Sequence, residues 1–201
     1  MTKQQAIDII ADRLGNRSGM DSRIVMELDA SQEFHEQHPF HPWFLRTREV
    51  VVASSPVIPL PDNFLAPLED REILLGPDGP VKAAFDWQVD PIRGQVGKPT
   101  HYVLFPHHIE LYPAPSEPIT YTLSYYAKQP LISTLGPNEA NAWLSFAPHV
   151  IVQYAGAKIA MHLRGTDVAQ LFLVDYQEAT RNLLHNDVAW RSGGMLQFMG
   201  G

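Results

Sequence analysis

All seventeen prolines of this chain lie between Pro39 and Pro148, and that distribution limits the fold more than any other feature. Proline fixes its own φ and donates no backbone hydrogen bond, so it is unwelcome inside helices and central strands. The flanks are therefore open to long helices, and the middle is restricted to short extended segments and turns.

Helical periodicity is present on both flanks. Thr2 and Gln5 stand in capping-box spacing, Ala6, Ile7, Ile10 and Leu14 recur at helical intervals, and Gly15 is placed to end the helix. After the loop Asn16-Arg17-Ser18-Gly19, Asp21 is placed to cap a second helix with Ile24, Leu28 and Phe34 inward, running up to Pro39. Beyond Gly136, Asn138 or Asn141 begins a short turn carrying Trp143 and Leu144. Pro148 then takes a first-turn position in a helix through Ile151, Tyr154, Ala155, Lys158 and Ile159 toward Gly165. Asp167 and Gln170 repeat the capping-box spacing and open a last helix through Leu171, Phe172, Tyr176, Ala179 and Leu183.

Between these flanks the pattern is that of strands. Glu49–Ala53 is β-branched, Val57–Leu60 is interrupted by Pro59 as an edge strand would be, and Val81–Val89, His101–Phe105, His108–Tyr112 and Thr120–Ala127 follow. In the last, Tyr121, Leu123 and Tyr125 alternate onto one face. His101–Tyr112 reads as a hairpin turning at Pro106-His107. The expected fold is α+β: an antiparallel bundle of terminal helices (1–41 and 136–188), a β-rich insertion (42–135) forming a small antiparallel sheet or sandwich, and an extended C-terminal tail (189–201).

That tail, AWRSGGMLQFMGG, sets Ala189, Trp190, Arg191, Met195, Leu196, Phe198 and Met199 among glycines that disfavour a helix. Apolar residues without a fold of their own need either a partner surface or the parent domain to cover them. Trp190, expected beyond the last helix, has the profile of an anchor for a partner's pocket.

The net charge is −7, and no run of Lys and Arg suits gripping nucleic acid. A surface that DNA merely slides past favours acidic character, because repulsion prevents sticking. The absence of cysteine excludes disulfides, thiol catalysis and thiolate metal sites. Lys3, Asp8, Asp12 and Arg13 interrupt any signal-peptide pattern, and no apolar run has the length to cross a bilayer. The reading is a soluble, non-secreted protein.

Candidates for chemistry are few. His35 and His38 have a spacing that places two imidazoles on adjacent helical turns, with His41 beyond Pro39; they read as packing or surface histidines first and as metal ligands second. Glu69, Asp70 and Glu72 beside Arg71, and Glu27 with Asp29, are the carboxylate clusters a glycosidase-type hydrolase would draw on, and also ordinary solvated charges. No nucleophile elbow, zinc-protease motif, phosphate loop or dinucleotide fingerprint is present. Trp43, Trp87, Trp143, Tyr125 and Tyr126 suit either a core or a ligand groove. No cofactor or metal is expected.

Several strings resemble, in order, the head-to-tail adaptor (connector) proteins of tailed bacteriophages. They are Leu14-Gly15-Asn16-Arg17, Pro42-Trp43-Phe44-Leu45, Leu60-Pro61-Asp62-Asn63-Phe64-Leu65 and the Tyr102–Pro113 hairpin ending Leu111-Tyr112-Pro113-Ala114-Pro115. Tyr125-Tyr126, Asn141-Ala142-Trp143-Leu144 and Pro148-His149-Val150-Ile151 complete the set. The resemblance implies a non-enzymatic virion protein, assembled in the host bacterial cytoplasm as a ring, commonly of twelve. Such a ring docks below the portal protein, meets a tail or nozzle protein, and continues the DNA channel without specific DNA or membrane binding. It also makes Ala189–Gly201 the portal-docking segment. The alternatives are a peptidoglycan-cleaving or other hydrolase and a ligand-binding β module.

Overall fold

Helix α1 (Lys3–Arg13) begins on a complete capping box: the Gln5 N–H donates to Thr2 Oγ1 at 3.3 Å, and the Thr2 N–H donates to Gln5 Oε1 at 2.9 Å. Gly15, at φ +79°, ends it in the left-handed conformation that glycine adopts without strain. These features belong to a computed structural model that describes residues 1–38, 40–68, 73–163 and 165–191. The fold is α+β, and the chain divides into two compact units: Met1–Leu45 with the chain from Gln129 onward, and Arg46–Lys128.

In the first unit, helix α2 (Asp21–Gln37) has Met20, not Asp21, at its N-cap, with no side-chain capping bond. Asp21 is the first helical residue, where its charge still complements the helix dipole. Ile24 and Leu28 are buried as expected, but Phe34 lies half exposed, stacked on Tyr154 at 4.8 Å. Asn141, rather than Asn138, caps the short helix α3 (Ala142–Phe146), accepting the Leu144 N–H at 3.1 Å. Helix α4 (Pro148–His162) starts on its proline and is buried over most of its circumference, as a central helix must be. It packs against α2 and against helix α5 (Thr166–Arg191). Gly156 permits the closest approach: a Cβ there would stand 2.4 Å from the Phe172 ring.

Two expectations for α5 are corrected. The helix starts at Thr166, so Asp167 is a first-turn acid and not a cap; Gly165 instead supplies the carbonyl that accepts the Ala169 N–H at 2.9 Å. The helix also continues through Ala189, Trp190 and Arg191, so an extended segment does not begin at Ala189. Leu171, expected on the inner stripe, is exposed beside the buried Phe172.

The second unit contains strands β1 (Arg46–Ala53), β2 (Val57–Pro59), β3 (Phe64–Pro67), β4 (Leu74–Gly76), β5 (Gly79–Pro80), β6 (Lys82–Ala83) and β7 (Val96–Gly97). Then come β8 (His101–Leu104), β9 (His108–Tyr112), β10 (Ala114–Pro115) and β11 (Ile119–Ala127). The long strand β11 organises one sheet, pairing antiparallel with β1 from Arg46↔Tyr126 to Ala53↔Ile119 and on its other side with β3 and β4. Tyr121, Leu123 and Tyr125 are buried on one face, as their alternation predicts. A second sheet has the order β2-β9-β8-β6, with proline-bearing β2 on its edge and the β8–β9 hairpin closing from Leu104↔Ile109.

The sheets are not wholly antiparallel, because β6 pairs parallel with β8 and β7 with β10. The single strand expected over Val81–Val89 is also absent: β6 is followed by a tight turn at Asp86–Gln88. Side chains compete with the ladder there, with the Phe85 N–H donating to Gln88 Oε1 at 2.8 Å and Arg93 reaching Asp86 at 2.5 Å. Among the described residues no helix is long and apolar enough to cross a membrane.

Candidate functional site

The C-terminal end of α5 carries the candidate surface. The apolar stripe of that helix, Phe172, Tyr176, Ala179 and Leu183, continues at helical spacing to Asp187 and Trp190. Asp187 is 1% exposed and accepts the backbone N–H of Trp43 at 2.7 Å. This bond fixes the segment Trp43–Leu45 against the helix. Trp190 then stacks on the Trp43 ring at 5.4 Å with 16° between planes. Trp43 meets Phe146 at 5.1 Å, and Phe44 meets both Phe146 and Trp143.

The result is an aromatic cluster held by three separate segments, with Trp190 still 45% exposed. Such ring contacts are worth about 0.5–1.5 kcal/mol beyond the area they bury. Leu184 and Val188, one turn apart on an adjacent stripe, are exposed beside it. The surface can dock a partner through pre-ordered rings; among the described residues it presents apolar and aromatic groups rather than a nucleophile with a general base.

Of the sequence-derived interface candidates, Ala189, Trp190 and Arg191 are therefore helical, and Trp190 is seated on Trp43 rather than standing beyond the helix. Met195, Leu196, Phe198 and Met199 lie outside the described residues.

The histidines do not converge on a shared site. His35 sits among Phe34, Trp143, Tyr154 and Tyr176, with Nδ1 2.6 Å from the Ser31 carbonyl and Nε2 3.1 Å from the Tyr176 hydroxyl. Nδ1 donates to the carbonyl, so Nε2 accepts from the tyrosine. Burial holds this imidazole below its ordinary pKa; the Ser31 bond opposes that shift and the neighbouring His38 adds to it. His38 is exposed and accepts the Phe40 N–H at 3.3 Å. No group of three or more His, Asp or Glu side chains suited to a metal occurs among the described residues.

Asp29 spends a carboxylate oxygen on the Ser133 N–H at 2.9 Å, and Glu69, Asp70, Arg71 and Glu72 lie outside the described residues. Trp143, Tyr125 and Tyr126 are buried packing groups, whereas Trp87 is exposed beside Phe85.

Sequence reasoning missed two polar centres. Glu36 is buried and accepts from Trp143 Nε1 at 3.0 Å, the Gln129 N–H at 3.1 Å and Gln32 Nε2 at 3.1 Å. Asp187 is the other. Both interrupt an apolar helical stripe, and that interruption was the available signal: Gln32 and Glu36 follow Leu28 at four-residue steps.

A family model described as SU10 adaptor protein matches residues 1–196. No match was found among curated proteins. The family match spans both compact units and nearly the whole sequence, so the chain belongs to the SU10 adaptor protein family, a family of phage head–tail adaptors.

Proposed function

We propose that this chain is a structural subunit of a tailed-phage virion, forming a ring below the portal that joins it to the tail and continues the DNA channel. The family match over residues 1–196 carries this reading. Subunits of a ring meet through heterologous contacts, the same two patches repeating until the rotation closes. A net charge of −7 suits a channel wall that DNA passes without sticking.

The portal contact is assigned to the C-terminal end, residues 189–201. The ordered cluster of Trp43, Phe146 and Trp190 forms its rigid base, and Met195, Leu196, Phe198 and Met199 supply further apolar contacts. Around a ring, many modest contacts add up to a durable joint, because each bound neighbour raises the effective concentration of the next.

The test is co-sedimentation of the full chain with the portal ring of the same phage. Saturable binding at one chain per portal subunit is expected, and should be lost when residues 192–201 are deleted. Ending the deletion at residue 192 leaves Trp190 on Trp43, so the helical unit stays folded. Full docking by the shortened chain would remove the tail from the interface, and no docking by the folded full chain would overturn the adaptor reading.

A further inference from the structure

The second unit contains a pocket of about 300 Å³ that the adaptor reading does not use. Its walls are the β4–β5 hairpin with Pro77, Asp78 and Val81, and the segment Lys98–His101; Tyr121 of β11 also lines it. The backbone around it is tied by the Val81 N–H to the Leu74 carbonyl at 2.9 Å and the Lys82 N–H to the Thr100 carbonyl at 3.1 Å. Gly76 keeps the cavity open beside the tyrosine, since a Cβ there would stand 3.0 Å from Tyr121 Cε1.

Two observations point to a ligand and to its charge. Tyr121 lines the pocket, and its hydroxyl has no hydrogen-bond partner among the described residues while remaining open to solvent. A hydroxyl that faces a cavity and makes no bond within the protein can exchange its water for a ligand oxygen. The second is the concentration of cations. The chain has only five lysines and a net charge of −7, and two of the five, Lys82 and Lys98, line this pocket. Against them stands one acid, Asp78, whose carboxylate holds Lys98 at 2.7 Å and displays the kind of group that lysine takes. His101 Nδ1 is engaged by Thr100 Oγ1 at 2.9 Å, which leaves Nε2 as its remaining polar atom.

We propose that this pocket binds a small, sugar-sized ligand through a carboxylate or phosphate, received by Lys82, Lys98 and the Tyr121 hydroxyl. Lysine ammonium groups serve as point charges for such oxyanions, and the hydroxyl adds a donor of fixed position. The inference is independent of the ring and of the portal contact.

The experiment titrates the full chain with glucuronate, glucose 6-phosphate, inorganic phosphate and glucose, following backbone amide resonances. Saturable shifts centred on residues 76–82 and 98–101 are expected with glucuronate or glucose 6-phosphate, and none with glucose. Lys82→Gln and Lys98→Gln should each weaken binding about tenfold, as loss of a charge-assisted bond does. Asp78→Asn should strengthen it by releasing Lys98.

Tyr121→Phe should weaken binding about threefold while leaving the thermal midpoint in place, because the deleted hydroxyl has no partner to orphan. Inorganic phosphate binding as tightly as glucose 6-phosphate would place all recognition in the anion; weaker binding would place part of it in the sugar. Either result supports the site. Equal binding of glucose, shifts unmoved by Lys98→Gln, or no saturation by either acid to the folded protein would overturn it.

Discussion

The two units hold their polar groups in opposite ways. In the helical unit a network of them is sealed inside, besides the exposed pair Arg13–Asp175: Glu36 gathers three donors, Asn141 donates to Gln32 Oε1 and the Pro130 carbonyl at 2.8 Å each, and Asp187 takes the Trp43 N–H. In the β unit the ion pairs Arg93–Asp86, Arg93–Asp90 and Lys98–Asp78 lie on the surface, with side chains 45–65% exposed. The difference follows from backbone accounting. Strand ladders and backbone turns pair much of the main chain of the β unit, so its charged side chains are left largely to solvent. Helices leave unpaired groups at their ends and in the irregular segments that join them. Side chains on α2 and α5 therefore reach across to residues 43, 129 and 130, and those reaching groups must be buried.

The sharpest way to break this contrast is to remove a sealed acceptor. Glu36→Ala should destabilise the helical unit by about 3 kcal/mol, because three donors lose their buried partner at once. Chemical denaturation followed by tryptophan fluorescence reads the effect, and a change below about 1 kcal/mol would place the network among dispensable contacts. Gly156→Ala comes next. Its Cβ at 2.4 Å from Phe172 forces α4 and α5 apart, with an expected loss of about 1–3 kcal/mol by the same measurement.

His35 tests the sealed environment through pH. Its folded-state pKa lies below the unfolded value of 6.5, so as pH falls through that value the unfolded chain binds a proton that the folded chain refuses. Stability should therefore decline as pH falls below about 7, and His35→Phe should flatten part of that slope. An unchanged slope in thermal melts would show that the imidazole is not protected. The smallest effect belongs to the β unit: Arg93→Ala should leave the thermal midpoint nearly unchanged, because exposed ion pairs contribute little to stability. A loss near that of Glu36→Ala would erase the contrast between the units.

Many signals that act over a few residues match the structure, although the Asp21 cap and the Asp167–Gln170 box do not. The Thr2–Gln5 box, Pro148 at the start of α4, and the alternation of Tyr121, Leu123 and Tyr125 are all where the sequence places them. The failures share one cause. Gly193 and Gly194 made Ala189–Arg191 look unfit for a helix, although the stripe of α5 runs on to Trp190. Over Val81–Val89 the β-branched and aromatic content read as a strand, while Arg93 and Gln88 drew the backbone into a turn. The spacing of His35 and His38 allows shared ligation but reads first as packing or surface, and the His35 ring is enclosed by aromatics from four helices while His38 is exposed.

By itself, then, the sequence determined the order helix, sheet, helix and most places where an element starts, because prolines, caps and alternation impose their geometry on immediate neighbours. Only the tertiary structure decided that α5 carries Trp190 onto Trp43 and which polar side chains are interior. The partners responsible are remote in sequence: Trp43 and Asp187 are 144 residues apart, and Glu36 and Trp143 are 107 apart. A helix terminus or a buried carboxylate is stable only when such a partner arrives, and no local window of sequence contains it.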